Sequence, residues 1–148
     1  EFSRKNISTL SNVAKFDREG NRPEALIAIA KAVADNRQAQ LEAIRLSSQL
    51  DAMAQNLSRV NPGRARELGS EAITAQITSV TRLLYYGNYM EQLYEALRAK
   101  FDDPRRAYLD GKVNELVGKL NDEAQAINEL NKRFVAVMAE FDKIFENN

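Results

Sequence analysis

Apolar residues recur every three or four positions along most of this chain, which is the spacing of an amphipathic α-helix. The pattern is clearest in the last third of the chain, where one apolar seam continues for almost forty residues. The seam consists of Leu109, Val113, Leu116, Leu120, Ile127, Leu130, Phe134, Val137, Phe141 and Ile144. Glu123 interrupts it, and we expect the neighbouring Ala124 to pack in its place.

The two preceding segments each carry two stripes that are offset from one another. In the earlier segment they are Leu26, Ile29, Val33, Leu41 and Ile44, then Leu46, Leu50, Met53, Leu57 and Val60. In the later segment they are Ile73, Ile77, Val80 and Leu84, then Tyr86, Met90, Leu93, Leu97 and Phe101. Offsets of this kind shift or locally unwind the seam of a helix bundle.

Three helix-breaking segments divide the pattern into separate helices. Gly20 precedes Pro23, and both Asn61-Pro62 and Asp103-Pro104 place an N-cap residue before a proline that suits the first helical position. We therefore predict a short helix over about 3–19 and long helices over about 23–60, 62–101 and 104–146. Short connections make antiparallel neighbours. The expected fold is all-α, an elongated antiparallel bundle of three long helices plus a short N-terminal helix, with residues 1–148 forming a single domain.

Composition narrows the chemistry that this bundle can perform. The chain contains neither histidine nor cysteine, so it lacks the commonest general base, the commonest transition-metal ligand and any thiolate. We expect no catalytic residue, no metal site and no cofactor. Lys and Arg number 21, as do Asp and Glu, and no basic run accompanies the tyrosines, so we expect no nucleic-acid partner.

No stretch approaches the roughly 20 apolar residues that cross a bilayer, and we expect no membrane insertion by this segment. The chain begins at Glu1 without an initiator methionine, which indicates a processed form or a fragment. The sequence leaves the localisation open, with an extracytoplasmic location, periplasmic or anchored, favoured slightly over a cytoplasmic one.

A cluster of glycine, tyrosine and polar residues is expected near the middle of the bundle. Counting outward from the two predicted turns places Gly87 near Asn36 and Gly118. Two glycines at one height indicate either a close approach of helices or a cavity, and a bend with exposed tyrosines is the plainer interpretation. The candidate ligand or partner layer comprises Asn36, Arg37, Gln40, Tyr85, Tyr86, Gly87, Tyr89, Asn114 and Gly118.

Four arginines follow the two turns, where the exposed N–H groups of a helix start favour anions. These candidate anion contacts are Arg64, Arg66, Arg105 and Arg106. Neighbouring Glu67, Asp102 and Asp103 partly neutralise them.

The leading functional hypothesis is a non-enzymatic interaction or scaffold module that binds another protein, because long capped amphipathic helices without catalytic groups suit that role. An extracytoplasmic ligand-sensing bundle with a mid-bundle pocket is the first alternative, and an enzyme is the second. Apolar residues outside the main stripes, among them Leu83 and Tyr94, also leave a homodimer open.

Overall fold

The computed structural model describes residues 2–59, 63–105 and 108–146. These ranges contain four helices and no strand: α1 (Phe2–Arg18), α2 (Arg22–Leu57), α3 (Arg64–Asp102) and α4 (Tyr108–Glu146). The prediction of an all-α bundle with three long helices and a short N-terminal helix is confirmed. None of the helices in the described ranges carries an apolar stretch that would span a bilayer.

The junction between α1 and α2 forms as its sequence predicts. Gly20 has a φ of 67°, a left-handed conformation that glycine adopts without strain. The Gly20 N–H donates to the carbonyl of Asp17 at 3.1 Å, and the Asn21 N–H donates to the carbonyl of Phe16 at 2.8 Å, which is the Schellman pattern of a helix end. Asn21 then caps α2, since its Oδ1 accepts from the Glu24 N–H at 3.5 Å.

The start of the last helix differs from the prediction. α4 begins at Tyr108, and Pro104 lies in a turn before it. The Asp103 N–H still donates to the Ala99 carbonyl at 2.9 Å, while Asp103 Oδ1 accepts from the Arg105 N–H at 3.3 Å. Asp103 therefore forms a local turn instead of capping a helix at Pro104. The predicted boundary at Asn61-Pro62 lies outside the described residues.

The chain divides into two compact units. The first consists of Glu1–Leu41 with Tyr86–Asn121, and the second consists of Glu42–Tyr85 with Asp122–Asn148. α2 is unbroken through residues 35–40, a stretch whose only apolar residue is Ala39. The assignment of residues 1–148 to a single domain stays a prediction.

In the first unit, ion pairs between α2 and α3 establish their antiparallel order. Arg22 pairs with Asp102, and Arg37 pairs with Glu91. On α2 in this unit the buried residues are Ala25, Ile29, Ala32 and Asn36, so half of its buried positions are alanine. Helices lined with alanine approach each other more closely than helices lined with leucine.

The apolar stripes predicted for α2 were partly wrong. Leu41 in the first unit is 54% exposed and Ile44 in the second is 52% exposed, since the alanine side of the helix packs instead. α3 also departs from its predicted stripes, because Tyr94 lies off them and is fully buried in the first unit.

The second unit buries two small apolar clusters. One joins α2 to α3 through Ala43, Leu50 and Val80. The other joins α3 to α4 through Leu68, Ala72 and Val137.

Glu123 in the second unit corrects the prediction that Ala124 replaces it in the α4 seam. Its side chain is buried, and its two carboxylate oxygens accept from Nη1 of Arg82 at 3.2 and 3.3 Å. The Arg82 guanidinium stabilises a carboxylate that would otherwise be costly to bury. This charged contact continues the seam where an apolar residue was expected.

Candidate functional site

The predicted mid-bundle layer exists in part, as a contact between α2 and α3 in the first unit. Asn36 is completely buried, and its Nδ2 donates to the Gly87 carbonyl at 2.8 Å. A Cβ placed on Gly87 would lie 2.9 Å from both Cγ and Nε2 of Gln40. Gln40 therefore fills the space beside Gly87. Of the two predicted arrangements, a close approach of helices or a cavity, the structure has the close approach.

Two polar atoms in this contact are buried without a hydrogen-bond partner among the described residues. They are Oδ1 of Asn36 and Nε2 of Gln40. An unsatisfied buried polar group costs roughly 1–3 kcal/mol of folding free energy. The two amides therefore stabilise the fold less than fully hydrogen-bonded amides would. Buried amides of this kind can specify the register between two helices.

The tyrosines of the layer have three different environments. Tyr86 is buried, whereas Tyr85 is 49% exposed. Tyr89 is half-buried, and Nζ of Lys119 lies 5.5 Å from the centre of its ring, within the range of a cation–π contact. Tyr86 and Tyr89 belong to the first unit, whereas Tyr85 belongs to the second.

Of the remaining layer residues, Arg37 is exposed and pairs with Glu91. Asn114 and Gly118 are also exposed. A Cβ on Gly118 would have no atom within 4 Å, so the expectation of two glycines in one buried contact was wrong. Gly118 is on the outward side of α4, and residue counting alone does not determine that side.

Of the candidate anion contacts, Arg64 is paired with carboxylates. Arg64 pairs with Glu140 and, at 3.4 Å, with Glu67, and these hydrogen bonds raise the pKa of Arg64. Arg105 lies in the turn before α4. Arg106 is outside the described residues. A bound anion at Arg64 would have to compete with two carboxylates already present.

A polar cleft of about 640 Å³ in the second unit includes Arg66 together with residues of α3 and α4. Both acidic and basic side chains line the cleft, among them Glu71 and Arg133, which form an ion pair at 2.9 Å. The Thr74 hydroxyl donates to the carbonyl of Ser70 at 2.8 Å. The cleft has no concentrated positive charge that would favour an anion.

The most unusual surface of the second unit is an apolar groove of about 560 Å³, which the sequence does not single out. Because α3 packs against both α2 and α4 in this unit, we call its α3 residues the floor of the groove and its α2 and α4 residues the two walls. Its lining consists of Leu50, Met53, Asn56, Leu57, Gly69, Ala72, Ile73, Gln76, Phe134, Met138 and Phe141. None of these residues is charged.

The walls of the apolar groove remain accessible. Met53 is 55% exposed, and Phe134, Met138 and Phe141 are only half-buried. A signal for the α2 wall was present in the sequence, since Leu50, Met53 and Leu57 belong to its second predicted stripe. That stripe was expected to face the core, yet only Leu50 is buried.

A second cavity, of about 450 Å³, lies beside α1 in the first unit. It is mostly apolar, but Asp17 and Lys100 line it, and Lys100 Nζ donates to Asp110 at 2.6 Å. α1 itself forms one side of this cavity through Leu10 and Val13.

No group of three or more acidic side chains in the described ranges is arranged to hold a metal ion. Family models, curated proteins and solved structures provide no match to this chain. Among the surfaces of the second unit, the apolar groove differs most from an ordinary solvated helix surface.

Proposed function

We propose that this chain is a non-enzymatic protein-binding module whose binding surface is the apolar groove of the second unit. The observation that carries the proposal is the groove's composition, because all eleven lining residues are uncharged and most are apolar. Protein interfaces are depleted in charge at their centre and enriched in methionine and aromatic residues.

The side chains of the groove support binding over a purely structural role. Met138 and Phe141 contact the buried cluster of Leu68, Ala72 and Val137 from one side and line the groove on the other. A partner that covered them would complete their removal from water, which is worth about 25 cal/mol per Å² of apolar surface. Methionine adapts its shape to different partners, so Met53 and Met138 suit an induced fit at either wall.

The sensing hypothesis stays a prediction. The mid-bundle layer on which it depends is a packed contact in which Gln40 fills the space next to Gly87. Binding of a small ligand there would require Gln40 to move.

The proposal is tested by site-specific photo-crosslinking in cells that produce the protein. A photoreactive phenylalanine analogue replaces Met138 in the groove and, as a control on the same helix, the exposed Ala136. We expect Met138 to crosslink one protein that Ala136 does not. That protein is then purified and its affinity for the full chain is measured by calorimetry.

Two variants on α2 decide whether the groove makes the contact. Met53→Glu places a charge in the groove, whereas Ile44→Glu places the same charge on a side chain of similar exposure, 52% against 55%, that does not line it. We expect Met53→Glu to weaken binding about tenfold or more, a loss of ~1.4 kcal/mol, and Ile44→Glu to leave affinity unchanged. Equal affinities for the two variants would refute the proposal.

A further inference from the structure

We infer that the apolar groove receives a single amphipathic α-helix of the partner protein, and that the buried stripe of this helix is uncharged. The inference rests on the proposed function, because it specifies what occupies the same groove. Three observations support it: the construction of the groove from helices, the presence of a fourth helix in the first unit, and the chemistry of the lining.

The construction of the groove favours a helix over an extended peptide. Its two walls and floor all come from helices, so it offers no strand edge whose free N–H and C=O groups could pair with an extended chain. The floor on α3 extends from Gly69 to Gln76, which is about 10 Å at the rise of an α-helix. Two turns of a partner helix, with apolar anchors at positions i, i+4 and i+7, would cover that length.

The first unit shows how this chain accommodates a fourth helix. There α1 packs beside α3 and α4 with Val13 buried, and Leu10 and Val13 line a cavity together with Leu93 of α3. The described part of the second unit has segments of only α2, α3 and α4. A partner helix would therefore complete the second unit with the kind of element that α1 contributes to the first.

The chemistry of the groove restricts the partner helix. A charged side chain in its stripe would be buried against apolar walls without an opposite charge, which is costly. Gln76 on the floor is an uncharged amide and requires a hydrogen-bonding partner when covered. The first unit has such a contact between α1 and α3, because the Tyr94 hydroxyl on α3 donates to Oδ1 of Asn6 on α1 at 3.0 Å. We therefore expect an amide or hydroxyl side chain opposite Gln76.

The test uses the full chain and a phage library that displays one stable helix with a randomised face. We expect the selected helices to carry apolar residues at i, i+4 and i+7, no charge between them, and one amide or hydroxyl group. Synthetic peptides of these sequences should bind the full chain, lose about tenfold or more in affinity with Met53→Glu, and bind Ile44→Glu normally. Their affinity should change little with salt, since no ion pair is formed.

Gln76→Leu provides a second measurement that does not depend on inserting a charge. Peptides with the amide or hydroxyl should bind this variant more weakly than the original chain, whereas peptides with leucine at that position should bind it at least as well. The same response from both peptide types would overturn the predicted contact with Gln76.

Two results would overturn the choice of occupant. One is a library from which no selected helix depends on Met53. The other is self-association of the full chain, measured by sedimentation equilibrium, that Met53→Glu abolishes, because a second copy would then occupy the groove. If crosslinking at Met138 still identifies a partner that binds through an extended segment, the proposed function survives and only the inference fails.

Discussion

The contact between Gly87 and Gln40 allows a sharp test of how α2 and α3 pack in the first unit. In a helix interior, alanine is more stable than glycine by about 1 kcal/mol. At Gly87, however, the added Cβ would lie 2.9 Å from Gln40 Cγ and Nε2 and 3.0 Å from its Cδ. Overpacking of this kind costs about 1–3 kcal/mol, so we expect Gly87→Ala to lower the free energy of unfolding by roughly 1 kcal/mol.

Gly118→Ala is the matched control, because Gly118 is also helical and a Cβ there meets nothing within 4 Å. It should gain the full helix-propensity term, about 1 kcal/mol. In a Gln40→Ala background the clash is removed, and Gly87→Ala should then become stabilising by a similar amount. A double-mutant cycle therefore isolates the contact between the two side chains.

Urea unfolding monitored by circular dichroism measures all of these free energies. If Gly87→Ala raised the midpoint as much as Gly118→Ala does, the close approach of α2 to α3 would be refuted. The same conclusion would follow if Gln40→Ala left the effect of Gly87→Ala unchanged.

Three further predictions concern other parts of the chain. Burial raises the pKa of Tyr94 to about 12, so the folded state keeps a proton that the unfolded state loses above pH ~10. The free energy of unfolding should therefore fall by up to about 3 kcal/mol between pH 10 and 12. Urea titrations over this pH range should show that Tyr94→Phe lacks this part of the decline. Arg82→Ala removes the cation from the buried Glu123 and should lower the free energy of unfolding by about 2 kcal/mol, measured by thermal unfolding. Glu123→Leu should be at least as stable as the original chain. An Arg82→Ala variant as stable as the original chain would contradict this reasoning. Gly20→Ala places a side chain at φ 67° and should lower the free energy of unfolding by about 1–2 kcal/mol. Gly63 has open space around it and no positive φ, so Gly63→Ala should not lower it. A comparison of urea midpoints would show the difference.

The mid-bundle layer illustrates what residue counting can and cannot predict. Counting from the turns correctly placed Asn36 beside Gly87, because the rise per residue of a helix is constant. It did not predict that Gly118 is exposed, since position along a helix does not determine which side of the helix faces its neighbours.

The apolar groove was not predictable for a related reason. The stripe that includes Leu50, Met53 and Leu57 is visible in the sequence, and its period is the same whether the stripe faces a core or an open surface. In the structure α4 packs against α3 through Leu68, Ala72 and Val137, and Met53 on α2 is 55% exposed.

The sequence alone determined the four helices and the end of α1 just before Gly20, because helical periodicity and the left-handed conformation of a glycine are local properties. The tertiary structure decided which sides of those helices are buried. α2 packs through Ala25 and Ala32 while Leu41 is exposed, since the fit between helices depends on side chains distant in sequence. The buried Tyr94 likewise depends on a hydrogen bond to Asn6, 88 positions away in the chain.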